Sequence, residues 1–410
     1  MIATIIRKEI VSNFLSYKFF IVILLVAILV FTSFFIMYRD YKGRLADFQL
    51  IKPKPEEAIA VIPPNPLSIF AKGLEDAMTR SFEVSSIGID VRAGQQSGND
   101  VFSFFPAPDF VYVVKVVLSL VALLFGFDQV SREKESGTLR LMLANPVSRA
   151  DVLGGKWLGN YLSLAVPFLL VTLLGLAIMS LDPGIHFGAA ALARLGILIL
   201  ISLVYVALFL SLGIFVSALT RKAASSLVIL LFLWSLLVFV FPNMGTLLAR
   251  QMVDVPSVRA LNEKRQQIWT REILLSYSDR GNRAVHIKTI NEELDRMEED
   301  YRSRFDRLVR LSKNINRLSP AASFVYSSTE LAGTGIGEES RLKKDIIRYK
   351  DTVRQDLDRD KKEHESYVFR YRSLGLVLAD GSLFDIAWLI VFNILFFLWG
   401  YLAMVRYDVR

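Results

Sequence analysis

Six apolar runs constrain this chain more than any other feature. They occupy about residues 19–38, 110–127, 160–181, 195–219, 223–241 and 384–405. Each is long enough to cross a bilayer as a helix, which takes roughly 20 residues. Inside hydrocarbon the backbone must satisfy its own hydrogen bonds, so such runs fold as helices and not as open sheet. The fold class that follows is an all-α polytopic membrane protein. Composition agrees: the 410 residues are 53% hydrophobic and the mean hydropathy is +0.41, values that soluble domains of this size rarely reach. The first run, "FFIVILLVAILVFTSFFIM", holds no charge and lacks a small-residue cleavage pattern, so it reads as an uncleaved anchor. Lys115, early in the second run, and Asp385, early in the last, sit where a polar side chain can snorkel to the interface.

Lysine and arginine in the short connections set the orientation. Arg7, Lys8 and Lys18 precede the first run, Arg221 and Lys222 separate the fourth and fifth, and Arg406 and Arg410 follow the sixth. Arg132, Lys134, Arg140, Arg149 and Lys156 lie between the second and third, whereas the loop "DPGIHFG" (182–188) has neither residue type. All these basic connections fall on one side if both termini are cytoplasmic. Residues 39–109 and 242–382 are then external. The net charge of +8 reads as loops facing anionic lipid, not as nucleic-acid binding. There are no cysteines, which excludes disulfides, thiolate metal sites and cysteine nucleophiles, and three scattered histidines make no metal-binding pattern.

Residues 1–18 are a separate element. Ile2, Ile5, Ile6, Ile10, Phe14 and Tyr17 recur at helical spacing, with Arg7, Lys8, Ser12 and Asn13 opposite. That is an interfacial amphipathic helix. Segment 39–109 is rich in proline and glycine, so it reads as an irregular external layer with one helix near 67–80. Segment 242–382 is expected to be an external helical hairpin. One helix covers 287–318, with a stripe from Ile287 through Leu294 and Phe305 to Leu318, and Ser319-Pro320 stops it. A second covers about 339–375, with Leu342, Ile346, Val353, Tyr367 and Tyr371 in similar rhythm. The two stripes pack on each other, or part of one binds an external partner or a substrate.

The connection 128–159 is conspicuously charged. "SREKESGTLRLML" holds strong helix formers, with Glu133 and Glu135 in the first turn where carboxylates suit the helix dipole. Asn145-Pro146 ends this helix, and Ser148 opens the next with Asp151 three residues on, a capping box. Helix, sharp turn, capped helix: the product is a rigid elbow that another protein can grip. "SREKESGTLRLMLANPVSRADVLGGKW" resembles the pattern E-x-E-x-G-T-L, P-[VIL]-S-R, G-K of permease subunits of type-2 ATP-binding-cassette (ABC) exporters, at Glu133, Glu135, Gly137, Thr138, Leu139, Pro146, Val147, Ser148, Arg149, Gly155 and Lys156. The stretch "LSPAASFVYSSTELAGTG" (318–335) is similar to bacterial members with external insertions.

The resemblance implies a cytoplasmic coupling helix within 131–157 that docks into a cleft of a separate ATPase subunit. It also implies two such ATPases, carrying ATP and Mg, and a second permease chain, identical or related, in a bacterial inner membrane. In this picture Glu133 and Glu135 pair with basic residues of the cleft and Gly137 allows close backbone approach. Pro146 and Ser148 set the bend, and Arg149 and Lys156 anchor at headgroups. The chain itself binds no cofactor. "GGKW" is not a phosphate loop, because position 150 is Ala and position 157 is Trp. An intramembrane enzyme would need paired Asp, Ser with His or Lys, or H-E-x-x-H in the spans, and none occurs. A second reading of the same family is a mechanotransmission protein that moves its external domain and transports nothing. The small residues Gly175, Ala177, Gly196, Ser202, Ala207, Ser211, Gly213, Ser217 and Ala224–Ser226 suit close helix packing, and Asn393 either lines a path or bonds a neighbouring helix. An apolar interior without charge rings fits lipid-like, peptide or drug cargo better than an ion.

Overall fold

The computed structural model describes residues 2–50, 58–78, 81–84, 89–92, 108–144, 146–185, 187–278, 283–358 and 367–407. They form two compact units, Met1–Val238 with Pro320–Arg410, and Phe239–Ser319. Among the described residues six helices are long and apolar enough to cross a membrane: Tyr17–Leu50, Phe110–Glu135, Arg149–Ser180, Ala189–Leu219, Ala223–Met252 and Leu374–Val405, here spans 1 to 6. Span 1 runs well past residue 38 because its continuation is amphipathic, with Tyr41 buried and Arg44 paired to Asp40 at 3.2 Å one turn away.

Span 4 is the most enclosed, and spans 5 and 6 are the least. Spans 2 and 4 cross where glycine meets glycine: a Cβ on Gly126 would stand 2.9 Å from Gly213 Cα. Gly175 receives the Phe34 ring in the same way, whereas Gly196 has no neighbour within 4 Å. Phe34, Phe110 and Phe168 stack across spans 1 to 3, with centroids 5.7 and 5.8 Å apart. Widened π turns interrupt span 2 at Val113–Leu118 and span 5 at Leu236–Val240, and span 6 is kinked at Asp380 and the left-handed Gly381 (φ 111°). At the first, Tyr205 donates to the Lys115 carbonyl at 3.1 Å and the Trp234 indole donates to Ser119 Oγ at 2.9 Å. The N-terminal helix Ile2–Phe14 lies along the start of span 3, its Ile5 and Glu9 filling the places that side chains on Gly155 and Gly159 would need.

Beyond the spans, the first unit adds a small sheet to the helical class. β1 (Ile59–Val61), β2 (Ser81–Val84), β3 (Ile89–Arg92) and β4 (Tyr367–Val368) are ordered β3-β2-β1-β4, with β4 parallel to β1. Helix Ile336–Asp358 covers the sheet, packing Leu342, Ile346 and Val353 with Ala60, Ile62 and Phe369. This corrects the expected helix over 339–375. Tyr367 and Tyr371 fit a helix at i, i+4, but with the buried Phe369 between them they fit a strand equally well. The helix expected near 67–80 is reduced to a 3-10 turn, Pro66–Ile69, and the short helix Glu75–Met78. Much of "IKPKPEEAIAV" and of "RAGQQSGND" lies outside the described residues.

Helix Pro320–Ala332 is buried along nearly all its length, against spans 4 and 6, with Phe324 stacked on Tyr205 at 4.4 Å. Its small residues explain the fit. Arg194 of span 4 donates to the Leu331 carbonyl at 3.2 Å and to the Arg372 carbonyl, and Arg372 pairs with Glu330, Glu338 and Asp380.

In the second unit, helices Val258–Ser278 and Arg283–Asn316 form an antiparallel hairpin. Ile268 packs with Ile290, Leu294 and Met297, and Arg265–Glu298 and Arg271–Glu293 flank them. The end of span 5 lies on the same long helix. There Gly245 donates to Asn316 Oδ1 at 2.8 Å, and Thr246 meets Ser312 at 3.1 Å. Each apolar stripe thus has partners inside its own unit, where the sequence reading paired the stripes with each other.

Candidate functional site

The elbow is two short helices and a capped start. Span 2 turns at Phe127–Val130 into helix Ser131–Glu135, and Gly137 then opens helix Thr138–Leu143. Gly137 has φ 73°, left-handed backbone that a side chain strains, and no atom lies within 4 Å of a Cβ placed there. Glycine is therefore explained by local geometry and not by a close contact in this chain. Ser136 and Thr138 hydroxyls meet at 2.8 Å across the bend, and Leu139 is buried beneath it. Pro146 precedes the turn into span 3, where the Ser148 hydroxyl accepts from the Asp151 N–H at 3.0 Å. Asn145 lies outside the described residues.

The charged residues of the elbow hold the ends of other helices. The last carbonyls of a helix lack partners and carry partial negative charge, and the first N–H groups are the converse. Lys134 donates to the carbonyls of Ala218 and Thr220 at the end of span 4, and lies 4.9 Å from the centre of the Tyr407 ring. Glu135 accepts from the Ala223 N–H at 3.2 Å, where span 5 begins. Arg149 donates to the carbonyls of Met404, Val405 and Tyr407 at the end of span 6. The Ser217 hydroxyl accepts from Val130 and Ser131 N–H, both at 3.0 Å.

Lys156 is the centre. Only 3% exposed, it pairs with Glu133 at 2.7 Å and reaches Glu9 of the N-terminal helix at 3.5 Å. The expected headgroup role of Lys156 is thus corrected, because its ammonium is enclosed, while the half-buried Arg149 bonds the end of span 6. Each cation makes charge-assisted hydrogen bonds, Arg149 to helix-end carbonyls and Lys156 to carboxylates. Glu133 likewise spends its charge inside the chain, whereas Glu135 stays exposed while it caps the start of span 5. The outward face holds Arg132, Glu135, Ser136, Gly137, Thr138, Arg140, Pro146 and Leu141, the last 71% exposed.

Sequence reasoning missed Glu9, Lys134 and Ser217 as members of this site. Glu9 had a signal, a charge within reach of the apolar stripe of Ile2, Ile5 and Ile6; Ser217 had none, because its role depends on the crossing of spans 2 and 4. Within the spans, Trp157 donates to Ser211 Oγ at 2.8 Å and Ser211 donates to Asn393 Oδ1 at 2.6 Å, an interhelical chain through spans 3, 4 and 6. Asp385 is fully buried and does not snorkel, while Lys115 is half-buried over the Tyr112 ring at 5.3 Å. Among the described residues no three His, Cys, Asp or Glu stand close enough to hold a metal ion.

A family model described as ABC-2 family transporter protein matches residues 3–335, from the N-terminal helix through the elbow and the first five spans. The chain belongs to the ABC-2 transporter family. Among curated proteins it is similar to the probable ABC transporter permease protein NosY of Pseudomonas aeruginosa, 32% identical over 172 residues, which is 40% of this chain and 61% of that one. The probable NosY of Stutzerimonas stutzeri is 30% identical over 168 residues, 40% of this chain and 60% of its own. The chain spans about three fifths of the length of these relatives. As an ABC-2 family member with six crossing-length helices, it is a multi-pass membrane protein.

Proposed function

We propose that this chain is the permease subunit of an ATP-driven exporter and that its elbow receives the force of a separate ATPase. The observation that carries the reading is the linkage at residues 131–157: one charged segment grips the ends of spans 4 and 6, the starts of spans 3 and 5 and the N-terminal helix. A connection that only rejoined two spans would need none of these bonds.

In this arrangement the outward face from Ser136 to Leu141, with Pro146, fits a cleft of the ATPase, and Glu133, Glu135, Arg149 and Lys156 pass the displacement on. The enclosed Lys156–Glu133 pair cannot slide without stranding one partner, so the elbow moves as a body and tilts the spans it holds. The ATPase, in two copies, binds ATP and Mg. A second permease chain, identical or related, completes the pathway. Both termini are cytoplasmic, in a bacterial inner membrane, and residues 242–382 are external and free to meet an extracytoplasmic partner.

The test is co-purification. Full-length tagged protein drawn from the membranes of its own host brings down a nucleotide-hydrolysing subunit, and Arg140→Glu with Leu141→Asp loses it while membrane levels hold. If no ATP-hydrolysing subunit accompanies the chain, or the double substitution leaves the association intact, the reading fails.

A further inference from the structure

The long helix Arg283–Asn316 has an acidic middle and a basic C-terminal stretch. From 292 to 300 it carries Glu292, Glu293, Asp295, Glu298, Glu299 and Asp300 against Arg296 alone. From 302 to 317 the helix and the turn after it invert the balance, with Arg302, Arg304, Arg307, Arg310, Lys313 and Arg317 against Asp306 alone. The fold decides which end meets the membrane. Span 5 begins at Ala223, and a hydrocarbon core is crossed in roughly 20 residues, so the crossing ends near Asn243. Just beyond, Gly245 is pinned to Asn316 and Thr246 to Ser312. Antiparallel packing therefore runs the basic stretch along roughly the first two or three turns beyond the crossing, where long arginine side chains reach back to the headgroups, and carries the acidic stretch farther out.

Beside this exit Arg304, Arg307 and Arg310 line a groove of about 510 Å³ with Met252, Val253 and Asp254. Arg304 is occupied by Asp300 at 3.1 Å. Arg307 and Arg310 are exposed, and among the described residues no ion pair or hydrogen bond engages their side chains. We propose that this face binds anionic lipid headgroups, with the Arg307 and Arg310 guanidinium groups on phosphate oxygens. The planar guanidinium fork matches a phosphate, and each basic residue near an anionic surface tightens binding about fivefold. Headgroups, unlike a soluble acidic partner, already stand at this level. The inference needs span 5 to cross and is independent of any ATPase.

The chain has no cysteine, so Ser303→Cys gives one labelling position in the groove. The dye-labelled full-length variant is placed in nanodiscs of phosphatidylcholine, with or without about 30 mol% phosphatidylglycerol, and quenching by neutral acrylamide is measured. Phosphatidylglycerol is expected to lower quenching about twofold, and Arg307→Gln with Arg310→Gln is expected to abolish that difference at unchanged unfolding temperature. Equal quenching in the two lipids, or a difference that survives the double substitution, overturns the proposal. So does equal protection by inorganic phosphate in pure phosphatidylcholine discs, which would mark a soluble-anion site.

Discussion

Lys156 shows how one residue's neighbours change the meaning of its motif. Read along the chain, Gly155-Lys156 is a family signature; in space the ammonium is a buried charge between Glu133 and Glu9. Removing one member of a buried pair strands the other, at about 3–5 kcal/mol, whereas removing both costs less. Lys156→Met is therefore expected to lower the unfolding temperature more than Lys156→Met combined with Glu133→Gln, with a coupling of about 1–3 kcal/mol in the double-mutant cycle. A double variant as unstable as the sum of the singles would refute the pairing. For the same reason a charge reversal at Glu133 tests stability before it tests coupling. Gly137→Ala is milder: it strains left-handed backbone by about 1–2 kcal/mol but meets no neighbour, and thermal unfolding should register only that. Glu75 gives a pH signature. Burial raises its carboxyl to about 7, against Arg44 and the Asn65 N–H, which lower it. The folded state then holds a proton that the unfolded state has released, so stability falls as pH rises from about 4.5 to 7 and is flat above. Glu75→Gln should remove that slope in unfolding temperatures measured across this window.

At the scale of elements, the legible parts were those whose signal is local. The crossing helices, the cap at Ser148 and the stripe of 283–316 all follow from spacing within one segment. The four-stranded sheet does not, because β4 joins β1 from some 300 residues away and each strand is too short to declare itself. The breadth of the elbow's grip was equally hidden: Lys134 read as a loop cation, Glu135 as a partner for the ATPase cleft and Arg149 as a headgroup anchor, until the ends of spans 4 and 6 and the start of span 5 are brought beside them. Close crossings also had a visible residue type without a visible partner. Gly213→Val is expected to push span 4 off span 2 at Gly126 and cost about 1–3 kcal/mol, while Gly196→Val, facing open space, should be nearly silent in the same unfolding assay.

For the whole molecule, the sequence-level outline of six crossings and two external segments rests on hydropathy and charge, which act through the bilayer and need no knowledge of packing. The sides remain to be tested in this cysteine-free chain. Thr138→Cys should react with a membrane-impermeant maleimide only after cells are permeabilised, and Ser257→Cys in intact cells once the outer barrier is open; the reverse pattern would invert the topology.

Lys134 and Glu135 are adjacent residues, yet one holds the last carbonyls before the turn at 220–222 and the other holds the first amide after it. The fourth and fifth crossings are therefore harnessed to the same short stub of the second. A shove arriving at Thr138 has no slack to take up there, so three helices must shift in step, and the freedom to open lies farther along them, beyond the harness.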